Sequence, residues 1–144
     1  MQILFVCTGN TCRSPMAEGL FNARAARRGL SHRASSCGTA ALSGRSATEL
    51  AVGAVKKYGA DIGGHVSQPL SETLLVRADK VYCMTPAHAD AVASAYPAHA
   101  EKVEALSSPV PDPFGGDEGD YAAAAAAISA AVDAILDSLE GEKP

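Results

Sequence analysis

The chain has 144 residues, 47% of them hydrophobic and 19% charged, with a formal net charge of −4. This is the balance of one globular domain spanning 1–144, large enough for a core without staples, and it excludes global disorder. The acidic balance argues against nucleic acid or an anionic membrane as the main partner. No apolar run is read as approaching the ~20 residues of a membrane span, and the first residues lack the basic and long apolar stretches of a secretory signal. Four cysteines, Cys7, Cys12, Cys37 and Cys83, are expected to be free thiols in a reducing cytoplasm.

In chain order, residues 2–6 form a short apolar run that stops at a Gly/Asn/Thr/Ser cluster, the pattern of a buried strand. Pro15 suits the first turn of a helix, and Met16, Ala17, Leu20, Phe21 and Ala25 follow at helical spacing, with Gly29 as the expected stop. A second strand is predicted over 33–37. Ser46 is the expected cap of a helix that turns Leu50, Val52, Val55 and Tyr58 towards the core and ends at Gly59. A short helical piece at 71–77, a strand at 80–84, a helix at 86–96 and a strand at 103–106 come next. The loop 107–119 is rich in Pro, Gly and Asp. A long helix over 121–139 begins with six alanines, which read as strong helix formers that allow close packing. Residues 141–144 are expected to fray.

Strands alternating with helices predict an α/β fold, a parallel sheet with helices on both faces. Such sheets bind ligands at the carboxyl ends of their strands, near the switch in strand order. The junctions at 7–15 and 107–119 are therefore the expected site.

The first junction reads Cys7-Thr8-Gly9-Asn10-Thr11-Cys12-Arg13-Ser14-Pro15. A turn of this length, ending on a helix amino terminus, aims several backbone N–H groups at the oxygens of a phosphoryl group. Gly9 is expected to supply the unusual dihedral angles, and Arg13 offers a planar fork for two oxygens. The same positive field favours the thiolate of Cys7, the form that attacks. The Gly-Lys-Ser/Thr ending of a nucleotide-binding loop is absent.

The segment Cys7 to Glu18, CTGNTCRSPMAE, resembles the signature loop of the low-molecular-weight protein-tyrosine phosphatases, and Asp112-Pro113-Phe114-Gly115-Gly116 resembles that family's late Asp-Pro element. The resemblance implies a single-domain, four-stranded parallel sheet of flavodoxin-like layout. It also implies phosphoryl transfer through a phosphocysteine, with no metal and no cofactor. Cys7 is the expected nucleophile and Asp112 the expected general acid, then base. Arg13 and the N–H groups of residues 8–13 stabilise the transferring group. Asn10, Ser14, Ser36 and His65 are implied as the network that holds the loop, with Ser14 also donating to Cys7. Asp117 and Asp120 lie near Asp112 without its Asp-Pro context. His32, His88 and His99 have no partners at ligand spacing, and a zinc site is not expected.

Three enzymatic readings share this loop. Thr11, in place of an aliphatic residue, and the later Asp-Pro-Phe-Gly-Gly look most like the bacterial protein arginine phosphatases, so phosphoarginine in proteins is the expected substrate. Phosphotyrosine is the alternative. Leu42 and Phe114 align to the walls of a ring pocket, and leucine is a poor clamp for a phenyl ring. A thioredoxin-coupled arsenate reductase needs a further thiol, and no cysteine follows Cys83. A silent phosphoryl-binding or redox-sensing module is the non-enzymatic option. Cys12, inside the loop, is expected to form a reversible disulfide with Cys7 under oxidation. The protein is expected to be a cytoplasmic monomer acting on phosphorylated proteins.

Overall fold

The computed structural model describes residues 1–141; the fraying expected at 141–144 thus falls, beyond Gly141, outside the described residues. Four strands, β1 (Gln2–Cys7), β2 (Arg33–Gly38), β3 (Lys80–Cys83) and β4 (Val103–Ala105), form one parallel sheet in the order β2-β1-β3-β4. Five α-helices connect or follow them: α1 (Arg13–Arg27), α2 (Glu49–Lys56), α3 (Glu72–Arg77), α4 (Pro86–Ala95) and α5 (Glu118–Gly141). A 3-10 turn at Pro97–Lys102 leads into β4.

The layering follows from chemistry legible in β1. Ile3, Leu4, Phe5 and Val6 are all buried, so helices must cover both faces. Alternate residues divide between two cores. Ile3 and Phe5 pack with Met16, Leu20 and Phe21 of α1, Val55 of α2, and Ile128 and Leu136 of α5. Leu4 and Val6 pack with Val81, Cys83, Leu75 of α3 and Val92 of α4. The chain leaves β1 towards β2, then crosses back over β1 to β3. The carboxyl end of β1 is therefore the switch point, where an open α/β sheet leaves a crevice.

Most element boundaries fall within three residues of expectation, and the differences have local causes. Thr48, not Ser46, caps α2, its Oγ1 accepting from the Ala51 N–H at 3.3 Å. In a helix of only eight residues one narrow stripe is buried, so Ala51 and Val55 are inside while Leu50, Val52 and Tyr58 pack only in part. α5 begins at Glu118 because Asp117 and Asp120 cap each other: each accepts from the other's backbone N–H, at 3.0 and 3.1 Å. By length and composition α5 is also apolar enough to cross a membrane, contrary to the expectation for this chain. Its alanines raise its hydropathy. They also bring it close to α1 and α2, against which Tyr121, Ala125, Ile128 and Val132 are buried.

Candidate active site

β1 ends at Cys7 and α1 begins at Arg13, so the five intervening residues must turn the chain through the crevice. Cys12 precedes α1 without a side-chain cap, leaving the first N–H groups of the helix open. Five of the carbonyls from Cys7 to Cys12, all but that of Gly9, are bound from outside the hollow. Those of Cys7 and Thr8 accept from the N–H groups of Thr39 and Ala40, and that of Thr11 from Thr48, at 2.9, 3.0 and 2.9 Å. That of Asn10 accepts from His65 Nε2 at 2.8 Å, and that of Cys12 from the Met16 N–H at 3.2 Å. In a planar trans peptide the N–H points opposite the carbonyl. The N–H groups of Thr8, Gly9, Thr11, Cys12 and Arg13 therefore face the other way, into the hollow. This is an anion cradle made from backbone.

The conformational burden falls on Asn10 rather than on Gly9. Asn10 has φ of 57°, the one positive φ outside glycine among the described residues, and Gly9 lies outside that region. Asparagine tolerates the left-handed conformation when its side chain finds local partners. Here, fully buried, it finds three: Asn10 Nδ2 donates to Ser14 Oγ and to Ser36 Oγ, both at 2.9 Å, and Oδ1 accepts from the Gln68 N–H at 2.9 Å. Ser36 Oγ in turn donates to Glu18 Oε1 at 2.6 Å. Ser14 Oγ, already accepting from Asn10, stands 2.8 Å from Cys7 Sγ and 3.3 Å from the Cys37 carbonyl oxygen, so its one proton has these two acceptors to choose between. The glycine that matters sterically is Gly38 at the end of β2, where a Cβ would collide with the Thr8 carbonyl oxygen and the Ala41 side chain.

Cys7, Thr8, Gly9, Asn10, Thr11, Cys12, Arg13, Asp112 and Phe114 line a hollow of about 200 Å³, nearer a phosphoryl group and its first bonds than a large ligand. The Arg13 guanidinium is buried. It donates to the Val110 carbonyl at 3.0 Å and lies 3.6 Å from the half-exposed Asp112 carboxylate. Asp112 Oδ1 accepts from the Phe114 N–H at 3.1 Å, and Gly115 completes the turn at φ of 82°. Phe114, 70% exposed, forms part of the rim. Leu42 does not line the hollow: it stands 62% exposed on the loop after β2, so of the two expected wall residues only Phe114 borders the cavity itself.

Three partners of the loop were not legible as such. Glu18 ends the Asn10–Ser36 chain. Tyr121 OH sits 3.3 Å from Cys12 Sγ and accepts from Thr48 Oγ1 at 3.2 Å. Burial first, then the Cys12 thiol, pushes the Tyr121 phenol above its usual range. His88 is the third, with Nε2 2.8 Å from Thr8 Oγ1. The signal for it was topological, since α4 starts from the carboxyl end of β3, the neighbour of β1. Cys37 and Cys83 are buried in the sheet, and burial pushes both thiols up to about 12. Neither is a reactive thiol of the hollow.

A thiol at the floor of a backbone anion cradle, with an arginine in its wall and a carboxylate at its mouth, has the arrangement of a cysteine-dependent phosphoryl-transfer site. The chain belongs to the low molecular weight phosphotyrosine protein phosphatase family, whose model matches residues 2–144. It is 44% identical over 123 residues to a protein-arginine-phosphatase of Bacillus subtilis, with 81% of each chain covered. Among solved structures it is similar to YwlE arginine phosphatase, in a cysteine-to-serine mutant whose active-site serine is phosphorylated. The TM-score is 0.95 at 37% identity, over 99% of this chain and 98% of the other. It is also similar to a low molecular weight protein tyrosine phosphatase from T. tengcongensis, with a TM-score of 0.92 at 39% identity, over 96% and 99% of the two chains.

Proposed function

We propose that the protein hydrolyses phosphoarginine in phosphorylated proteins through a phosphocysteine on Cys7. The observation that carries this reading is the opposition of Cys7 on the floor and Asp112 at the mouth of one hollow, with Arg13 beside both. In the first step Cys7 Sγ attacks phosphorus in line, the S–P bond forms and the P–N bond breaks. Asp112 gives its proton to the departing guanidine nitrogen. Arg13 and the inward N–H groups of Thr8, Gly9, Thr11, Cys12 and Arg13 take up the charge spread over the equatorial oxygens. In the second step water attacks phosphorus and loses a proton to the Asp112 carboxylate. The S–P bond breaks, inorganic phosphate leaves, and Ser14 Oγ donates to the departing Cys7 sulfur. No metal or cofactor enters this scheme.

Phosphoarginine is preferred over phosphotyrosine for two reasons. The relatives just described include arginine phosphatases, and the hollow offers the Thr11 hydroxyl with a single aromatic rim residue, Phe114. Phosphotyrosine is the second reading, favoured by the flat exposed face of Phe114 and by the tyrosine phosphatase neighbour. Arsenate reduction lacks support because Cys37 and Cys83 are buried and held as thiols. Monomeric action in the cytoplasm belongs to the same proposal, and the net charge of −4 argues against nucleic acid or an anionic membrane as partner. The test is a side-by-side assay of one peptide carrying phosphoarginine or phosphotyrosine. A higher kcat/KM on phosphoarginine is expected; a higher value on phosphotyrosine transfers the proposal to the second reading, and turnover of neither refutes both.

A further inference from the structure

We infer that His88 is a positioning residue for this site, holding Thr8, the neighbour of the nucleophile, in place from the β3 side of the loop. The inference rests on the phosphatase reading above.

The placement follows from α4. Thr85 is its cap, with Oγ1 accepting from the His88 N–H at 3.3 Å, and Pro86 starts its first turn. One turn in, the His88 ring is buried between two hydroxyls. Its Nδ1 lies 2.7 Å from Thr85 Oγ1 and its Nε2 2.8 Å from Thr8 Oγ1. The Thr8 carbonyl is already bound by the Ala40 N–H from the β2 side. The arm of the loop next to Cys7 is thus clasped from both strands that flank β1, while Asn10 and its partners hold the far arm. Displacing Thr8 would turn its inward N–H and shift Cys7 beside it. Errors of about 1 Å in such a cradle cost on the order of a hundredfold in rate.

The clasp is sensitive to the charge on His88. A neutral imidazole has one donor and one acceptor nitrogen, which suits a directed chain through two hydroxyls. In the imidazolium both nitrogens donate, so one of the two hydroxyls must turn over. The charged groups facing the ring are the Arg13 guanidinium of α1 and the Asp112 carboxylate of the loop before α5. The Cys7 thiol lies next to Thr8. On α4 itself Asp90 is exposed, and His99, Glu101 and Lys102 follow the opposite end of that helix. Burial, then Arg13, holds His88 below the usual histidine range, with Asp112 opposing. The directed chain is therefore the form present at neutral pH, and it is reversed at one hydroxyl, shifting the hold on Thr8, as pH falls through that lowered value.

The experiment compares wild type, Thr8→Val, His88→Ala, His88→Gln and the double variant Thr8→Val/His88→Ala. It reads kcat/KM on an aryl phosphate and on a phosphoarginine peptide, together with vanadate affinity. His88→Ala and Thr8→Val are each expected to lose about tenfold to a hundredfold in kcat/KM, with the double variant losing no more than either. Glutamine, which keeps a donor and an acceptor but does not titrate, should recover most of the loss. Its kcat/KM relative to wild type should rise below the normal histidine range. Losses that multiply in the double variant, an unchanged ratio to wild type at acid pH, or His88→Ala and Thr8→Val both within twofold of wild type would overturn the inference. Absence of turnover in wild type would refute the phosphatase reading, and vanadate affinity across the same variants would still decide the coupling.

Discussion

Arg13 and Asp112 meet at 3.6 Å across the mouth of the hollow, the guanidinium almost wholly buried and the carboxylate half exposed. The two belong to different junctions of the sheet, ninety-nine positions apart. The contact holds the acid where a leaving group must exit, and a bound phosphoryl group would compete with Asp112 for the same guanidinium. In the proposed first step Asp112, released from that contact, would carry the proton that it gives to the leaving nitrogen.

Asp112→Asn should therefore depress turnover by about 10²–10⁴-fold on substrates with poor leaving groups, and much less on activated aryl phosphates. Equal losses on both would show that Asp112 is structural. Cys7→Ser should abolish turnover while phosphate binding and the fold persist, because a serine hydroxyl is not ionised by the same cradle. Rates near wild type in that variant would remove the covalent scheme.

Thr11 lines the hollow with Cys7 and Arg13. Its hydroxyl can accept from the N–H groups of a guanidine leaving group or orient the attacking water. An aliphatic side chain would leave those N–H groups unpaired at a cost of ~1–3 kcal/mol, tenfold to over a hundredfold in discrimination. Thr11→Ile is expected to lose activity on phosphoarginine and to keep or gain it on phosphotyrosine, measured on paired peptides. An equal fall on both would free Thr11 of any role in specificity.

Asn10 combines a left-handed backbone with three buried hydrogen bonds. Asn10→Ala loses the bonds and keeps an unfavourable φ, which costs roughly 1–2 kcal/mol for the backbone alone. Each buried partner left unpaired adds ~1–3 kcal/mol. Asn10→Gly relieves the backbone term only. Thermal unfolding should rank wild type above the glycine variant and the glycine above the alanine variant. Parity of glycine with wild type would show that the side-chain network contributes no more than the backbone relief offsets, and parity of alanine with wild type that it contributes nothing.

Mild peroxide should convert Cys7 and Cys12 to a disulfide that thiol reductant reverses, while Cys37 and Cys83, held protonated by burial, stay unmodified. Peptide mapping reads the linkage, and Cys12→Ser should lose the recovery of activity. Full recovery in that variant would end the role of Cys12 as partner thiol.

The sequence by itself determined the alternating elements, the two junctions and the composition of the first loop. Each depends on signals within a few residues: apolar periodicity, Pro15 in the first turn of α1, and Cys7 and Arg13 bracketing a short turn. Tertiary structure decided what those signals could not carry. Asn10 rather than Gly9 bears the positive φ, because the partners that make it tolerable lie in β2 and in the segment before α3. Leu42 lies outside the hollow although its alignment put it in the wall. His88, set aside for want of a metal partner, sits on Thr8 eighty residues away. That contact exists only because β3 pairs with β1, a long-range choice made by burying Leu4 and Val6 against Val81 and Cys83. Local propensity is encoded in short stretches of chain, whereas the neighbours of a catalytic loop are set by which strands share a core.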